Sequence, residues 1–189
     1  MTLETKRLTY EDYLNGPEIK QRYDIIDGEM IMAPSPNLQH QQILGQLFLQ
    51  VYRFVSEHAL GHVMFAPLDV IVQREPLRVR QPDLLFVSNE RANILGQIVE
   101  GAPDLVVEVL SPGNTRGEME SKLADYARLG VREYWIVSPE AMTVEVLKLD
   151  KGSWQRDSLS GVGDHVSSDV LPGIELEVSQ LFVQTKSPD

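Results

Sequence analysis

Three residues in the middle of the chain could do chemistry together: Asp83, Glu108 and Lys122. Glu108 is the one carboxylate inside the apolar run Leu105-Val106-Val107-Glu108-Val109-Leu110, which Pro103-Asp104 and Ser111-Pro112 close at its two ends. A run of this length between turn formers reads as a strand buried on both faces. An ionised carboxylate placed there is costly unless it is paired or bound to a metal. Asp83 follows Pro82 at the head of a second apolar run, Leu84-Leu85-Phe86-Val87, expected to neighbour the first. Adjacent strands lie about 4.8 Å apart, so carboxylates on them can share one divalent ion. Oxygen donors suit Mg²⁺ or Mn²⁺, which keep waters and accept phosphate oxygens. Asp104 is four residues from Glu108 on the same strand, about 13 Å by strand rise, and reads as a strand-end residue.

Lys122 would enter from the helix after the Glu108 strand. Aimed at a metal-bound phosphate, it could stabilise developing negative charge. It could equally be a solvated helix lysine paired with Glu118, four residues earlier in the favourable order. His40 has two readings as well, a histidine at the edge of the core or a polar group that a helix N-terminus aims at a site. Asp69, among Val and Ile neighbours, could be a further ligand or could cap a strand end. Arg74, Arg78 and Arg80 could meet a phosphate backbone. Arg78 and Arg80 share a face because side chains along a strand repeat with period two, and an edge strand guarded by charge is the alternative.

These residues need elements to hold them. Leu8–Asn15 reads as a short helix with Thr9 as N-cap and Gly16-Pro17 as its stop. Tyr23–Ile26 and Glu29–Met32 flank Asp27-Gly28, a strong hairpin signal because both turn positions need positive φ. Asn37 can cap the clearest helix of the chain, where Leu44, Leu47, Phe48, Val51, Phe54 and Val55 recur at spacings of three and four through about residue 58. Val63–Val72 reads as a strand marked by Pro67 as an edge or bulge, with 78–87 as its antiparallel partner. Residues 89–101 are mixed, with a helical turn around Arg91–Gln97. A helix from about Arg116 to Leu129 ends at Gly130, placed as the left-handed C-terminal residue. With strand Glu133–Val137 it completes a right-handed βαβ unit. Thr143–Leu149 and Trp154–Leu159 turn about Asp150–Ser153, Leu171–Val178 closes the fold, and the last residues look frayed.

The expectation is a mixed α/β fold in one domain spanning residues 1–189, with a core of about 20–140 and a C-terminal β extension of about 141–183. The chain has 189 residues, of which 42% are hydrophobic and 24% charged, ordinary for a globular protein. No apolar run approaches the roughly 20 residues that span a bilayer, and the N-terminus lacks a signal-peptide pattern, so no membrane role and a cytoplasmic location are expected. With no cysteine, disulfides, thiolate metal sites and a thiol nucleophile are excluded. The net charge of −11 argues against coating nucleic acid by bulk electrostatics. It leaves room for a local basic patch acting with a metal.

Taken together, several blocks carry a resemblance. They are Tyr23–Glu29, Pro34-Ser35-Pro36 with His40-Gln41, Pro82-Asp83-Leu84, Pro103–Pro112, Lys122 with Tyr126, Gly130–Val137, and Leu171-Pro172-Gly173. In this order, over nearly the whole chain, the sequence resembles the PD-(D/E)xK nuclease superfamily, and within it the Uma-type branch of restriction-endonuclease-like proteins. The resemblance implies a restriction endonuclease-like core, a mixed central sheet flanked by helices, with an N-terminal hairpin and a C-terminal β appendage. It implies Asp83 and Glu108 as ligands of Mg²⁺ or Mn²⁺, phosphodiester hydrolysis in nucleic acid, DNA above all, and a homodimer. In the wider superfamily the lysine sits two residues after the acidic residue, where this chain has Leu110. The resemblance therefore implies that the lysine has moved to the following helix, at Lys122. His40 and Glu29 fall in matching blocks and join the candidate catalytic set. Asp24 stands where the family pattern has Glu. The competing expectation, from a different class, is a non-catalytic metal-binding or interaction module that keeps the nuclease fold.

Overall fold

A computed structural model of the protein describes residues 7–182. The expected fraying of the last residues lies outside that range. The elements in order are α1 (Tyr10–Leu14), β1 (Tyr23–Ile26), β2 (Glu29–Met32), α2 (Leu38–Glu57), β3 (Gly61–Phe65), β4 (Val70–Arg74), β5 (Leu77–Arg80) and β6 (Leu84–Ser88). A 3-10 turn (Asn89–Ile94) leads to β7 (Leu105–Val109), α3 (Arg116–Leu129), β8 (Glu133–Ser138), β9 (Thr143–Asp150), β10 (Ser153–Ser160), β11 (His165–Val166), β12 (Leu176–Glu177) and α4 (Val178–Leu181).

Local chemistry explains the boundaries. Thr9 and Asp12 form a capping box on α1, and Thr115 and Glu118 form another on α3. The Asn37 side chain accepts the His40 N–H at the start of α2. Asp27 and Gly28, at φ 52° and 81°, make the tight β1–β2 turn, and Lys151-Gly152 repeats the device between β9 and β10. Gly130 ends α3 in the left-handed conformation that its missing side chain allows.

The main sheet has six strands in the order β10-β9-β8-β7-β6-β3, and a smaller sheet runs β2-β1-β5-β4. In the main sheet only β7 and β8 are parallel, joined through α3. The C-terminal β extension is continuous with this sheet, because β9 pairs with β8 from Glu133 to Ser138.

The two long strands expected around residues 63–72 and 78–87 do run antiparallel, but each is broken in the middle. Beside Pro67 the first divides into β3 and β4, and at Gln81-Pro82-Asp83 the second divides into β5 and β6. The β3–β6 halves belong to the main sheet and the β4–β5 halves to the small one. A proline has no N–H to give a ladder, so these are the points where the ribbon passes from one sheet to the other. Asp83 sits on that passage.

Each face of the main sheet is covered. Leu84, Phe86, Val107 and Trp135 pack under α2, against Ile43, Leu47 and Val51. Leu85, Val106 and Tyr134 pack on the opposite face, against Tyr126 of α3 and Val131. Period-two alternation therefore turns Glu108, like Val106, towards α3.

Candidate active site

The β6–β7 register brings the two carboxylates together. Leu84 pairs with Val107, and one step further along the same antiparallel ladder Asp83 stands against Glu108. Asp83 is fixed by three donors. Arg22 Nη1 reaches its Oδ1 at 2.5 Å, while the Val109 N–H and His40 Nε2 reach its Oδ2 at 2.7 and 3.1 Å. An ionised carboxylate only accepts, so the histidine contact places a hydrogen on Nε2. His40 is buried, and its Nδ1 has no partner among the described residues.

Glu108 meets α3. Lys122 Nζ donates to its Oε2 at 2.7 Å, and the Tyr126 hydroxyl donates to its Oε1 at 3.3 Å. Lys122 thus pairs with the buried carboxylate and not with Glu118. Glu118 instead turns back to accept the Thr115 N–H at 2.7 Å, closing the capping box. The i,i+4 pairing that helix spacing offers is worth a few tenths of a kcal/mol. It yields here to a cap and to a desolvated charge pair.

The electrostatics of the two carboxyls diverge. Burial pushes Asp83 up, but the His40 bond, the Arg22 charge and the Val109 N–H outweigh it and hold the group at a pKa of about 2. Burial also pushes Glu108 up. Lys122 pulls it down, the Asp83 charge pushes it up again, and the net direction is upward. Tyr126, fully buried, lies well above the usual phenol range through burial and then the Glu108 charge. The site is therefore a buried carboxylate pair that is short of positive charge on the Glu108 side. The Asp83 and Glu108 side chains are 2% and 4% exposed, whereas Arg22 and Lys122 reach solvent at 23% and 14%. Two cations thus form the solvent side and two carboxylates the floor.

Asp83, Glu108, Lys122 and His40 come together, but Glu29 does not. It stands exposed opposite Ile26, at the turn end of the hairpin, about 13 Å by strand rise from the Arg22 end. Asp69 accepts from Tyr13, Tyr23 and Gln81 at 2.5, 2.8 and 2.6 Å, which satisfies it as a structural acceptor. Asp104 accepts the Ser88 N–H and an Arg132 N–H, both at 2.8 Å. The three arginines read as a phosphate-facing patch are otherwise engaged. Arg74 pairs with Glu100, Arg78 with Asp27 and Asp125, and Arg80 with Asp24, Asp125 and Ser121. Arg80 is buried, so burial and ion pairing occupy the charges that the sequence offers to phosphate.

Sequence reasoning missed Arg22 and Asp125. Arg22 lies in a polar, aperiodic stretch, and only the crossing of the two sheets brings it to Asp83. The fully buried Asp125 sits one turn beyond Lys122 on α3, and its place beside the helix's apolar stripe was the available signal.

Among the described residues, no group of three or more His, Cys, Asp or Glu is arranged to hold a metal ion. The described residues thus form no all-protein cage, but Mg²⁺ is usually bound through one or two carboxylates with waters completing the shell. Two facing carboxylates, one of them raised by burial and by its neighbour's charge, make a donor set that fits a hard divalent cation. A cleft of ≈ 680 Å³ lies past the end of β7, lined by Asn37, Leu110, Ser111, Asn114, Arg116 and Met119 among others, with none of the four gathered residues in its wall. A larger cleft of ≈ 1080 Å³ lies under α1 against Tyr13, Tyr23, Asp69 and Gln81, and none of the four gathered residues lines it.

Similarity to known proteins bears on the family and the fold. The Uma2 family model, described as "Putative restriction endonuclease", matches residues 9–179. The chain belongs to that family. A solved structure described as a "putative nuclease belonging to DUF820" from Anabaena variabilis ATCC 29413 is similar in fold, with a TM-score of 0.77 at 19% identity. It covers 93% of this chain and 97% of its own. At that identity the likeness concerns the fold alone, which is restriction endonuclease-like, as the sequence resemblance implies. No curated protein matches the chain. No helix among the described residues is long and apolar enough to cross a membrane.

Proposed function

We propose that the protein is a metal-dependent endonuclease that hydrolyses phosphodiester bonds of nucleic acid, with DNA as substrate. It acts as a single cytoplasmic domain in a homodimer. Asp83 and Glu108 would hold Mg²⁺ or Mn²⁺. The observation that carries the reading is the facing of Asp83 and Glu108 across β6 and β7, with Lys122 on Glu108. Family membership supports the reaction class.

When bound, the ion would neutralise phosphate charge and acidify a water for in-line attack. The protein's own residues do the rest. His40, Arg22 and the Val109 N–H lock Asp83 in its ionised form and in one rotamer. Tyr126 and Lys122 orient Glu108. Lys122 and Arg22, the two cations at the solvent side, are placed to turn from the carboxylates to an arriving phosphate and to stabilise charge that develops there. The cleft past the end of β7, apolar over much of its wall, would offer a flanking nucleotide the Asn37 and Asn114 amides, the Ser111 hydroxyl and Arg116.

A non-catalytic module with the same fold is the second reading, favoured by the net charge of −11 and by the engagement of Arg74, Arg78 and Arg80 in ion pairs. Cleavage of supercoiled, linear and single-stranded DNA with Mg²⁺ or Mn²⁺ separates the two. The nuclease reading expects metal-dependent cutting that falls by about 10²-fold or more in Glu108→Ala and Lys122→Ala. Cutting that survives in Glu108→Ala removes the proposed site. No cutting by any form, with Mn²⁺ binding seen by calorimetry and lost in Glu108→Ala, supports the module.

A further inference from the structure

A second surface is built unlike the rest of the molecule. From Leu38 to Tyr52, nearly the whole of α2, there is no Asp, Glu, Lys or Arg, and from His58 to Leu68, across β3, there is again none. In a chain that is 24% charged, two adjacent elements are blank. Their outward side is uncharged, with large apolar side chains standing among Gln39, Gln41, Gln46 and His62. Leu38, Leu49, Tyr52 and Phe65 are 74%, 58%, 49% and 53% exposed. Phe48 stacks on Tyr52 at 5.2 Å and meets Phe65 edge-on at 4.9 Å, so helix and strand share one continuous patch. β3 is moreover an edge strand of the main sheet. Exposed edges are normally guarded by charged side chains, and this strand carries no Lys, Arg, Asp or Glu.

Gly45 is the second observation. It lies mid-helix, exposed, on the stripe of Leu38 and Tyr52, seven residues from each and therefore nearly in line with both. Glycine inside a helix is unfavourable relative to alanine, and nothing among the described residues requires it here. A side chain at Gly45 would meet no described atom within 4 Å. A glycine that no described residue needs, on the line of Leu38 and Tyr52, lets a second backbone approach closely.

We propose that this face is where a second copy of the chain docks, α2 against α2, with the twofold axis near Gly45. The charge decides between occupants. A basic partner or a nucleic acid would be recognised by charge, and this face has none to offer. Two copies at −11 repel each other overall, and an uncharged face adds nothing to that repulsion. The stripe is also self-complementary. An axis at Gly45 sets the Leu38 end of one helix beside the Leu49–Tyr52 end of the other, as an isologous contact requires. Depletion of charge with aromatic enrichment is the composition of an interface core. The inference concerns association alone and stands whether or not the chain cuts nucleic acid.

The chain has no cysteine, so single introduced thiols report contact cleanly. Gly45→Cys and a remote control, Lys151→Cys, would be oxidised at matched concentration, beside sedimentation velocity of the parent, Leu49→Glu and Gly45→Arg. Circular dichroism would check that each variant is folded. The expected result is a concentration-dependent dimer, disulfide-linked through position 45 and not through 151. Its dissociation constant should rise at least tenfold in Leu49→Glu, and Gly45→Arg should be monomeric. A parent that stays monomeric at every concentration overturns the proposal, as does a dimer that neither substitution weakens. A chain ended after Phe182 that dimerises when the full chain does not would assign the face to the protein's own C-terminal segment, and would overturn it too.

Discussion

Asp83→Asn tests the account of the site without relying on activity. In EDTA, the Asp83 carboxylate draws its stabilisation from Arg22, His40 and the Val109 N–H. Together these overcome the cost of burial and bring its pKa to about 2, against 3.8 for an unperturbed aspartate. That difference corresponds to about 2 kcal/mol of folding free energy at neutral pH. The group is depressed in the folded state, so the contribution is complete above the unfolded value and is lost as pH falls through about 2. At pH 3 about half of it remains. Asparagine also leaves the Arg22 charge without its partner in a mostly buried setting, which adds a further cost of about 1–3 kcal/mol that does not titrate.

Glu108 complicates the comparison. The Asp83 charge helps to raise Glu108, so removing it relieves part of that strain. The substitution is therefore best made in a Glu108→Gln background. Urea unfolding of Glu108→Gln, with and without Asp83→Asn, at pH 7, 5 and 3 gives the stability difference directly. It should be constant from pH 7 to 5 and shrink by about 1 kcal/mol at pH 3. A difference that stays level down to pH 3, or that widens, would mean that the three donors do not hold an ionised Asp83.

Two further outcomes follow from the ion pairs. Asp125→Ala leaves the buried Arg80 with Asp24 as its remaining carboxylate and removes half of the Arg78 pairing, and should cost about 1–3 kcal/mol in urea unfolding, with Asp125→Leu/Arg80→Met recovering much of it. If the single variant loses under about 1 kcal/mol, the network does not secure α3. On the proposed function, Arg22 and Lys122 stand on the carboxylate pair and Arg116 lines the cleft past β7, so the log–log salt dependence of DNA binding by Glu108→Gln should be shallow, with a slope of roughly −2 to −3. A slope steeper than about −6 would demand a phosphate-binding surface elsewhere.

The sequence carried the elements better than their assembly. The helix over Arg116–Leu129, its Gly130 end, the Asp27-Gly28 turn, and the Glu108 strand with Asp83 at the head of its neighbour follow from periodicity and from turn chemistry, which are local. The division of two long strands between two sheets does not. Pro67 and Pro82 are visible as breaks, but nothing local says that the halves part company, because that depends on which surface each half covers. Arg22 was illegible for the same reason: it reaches Asp83 only through the passage between the sheets.

The arginines show where pattern reasoning reverses sign. Arg78 and Arg80 do share a face, as period two requires, but the face is turned inward, onto Asp24, Asp27 and Asp125. A charged pair on a strand looks the same in sequence whether it meets a ligand or a buried carboxylate on another element. What distinguishes the two here is α3. Asp125 anchors the helix to the small sheet through both arginines, one turn from Lys122, whose amine reaches Glu108. The charges that seemed available for phosphate are thus engaged in fixing the helix that carries the lysine. A shallow salt dependence and a costly Asp125→Ala variant are two consequences of that one arrangement.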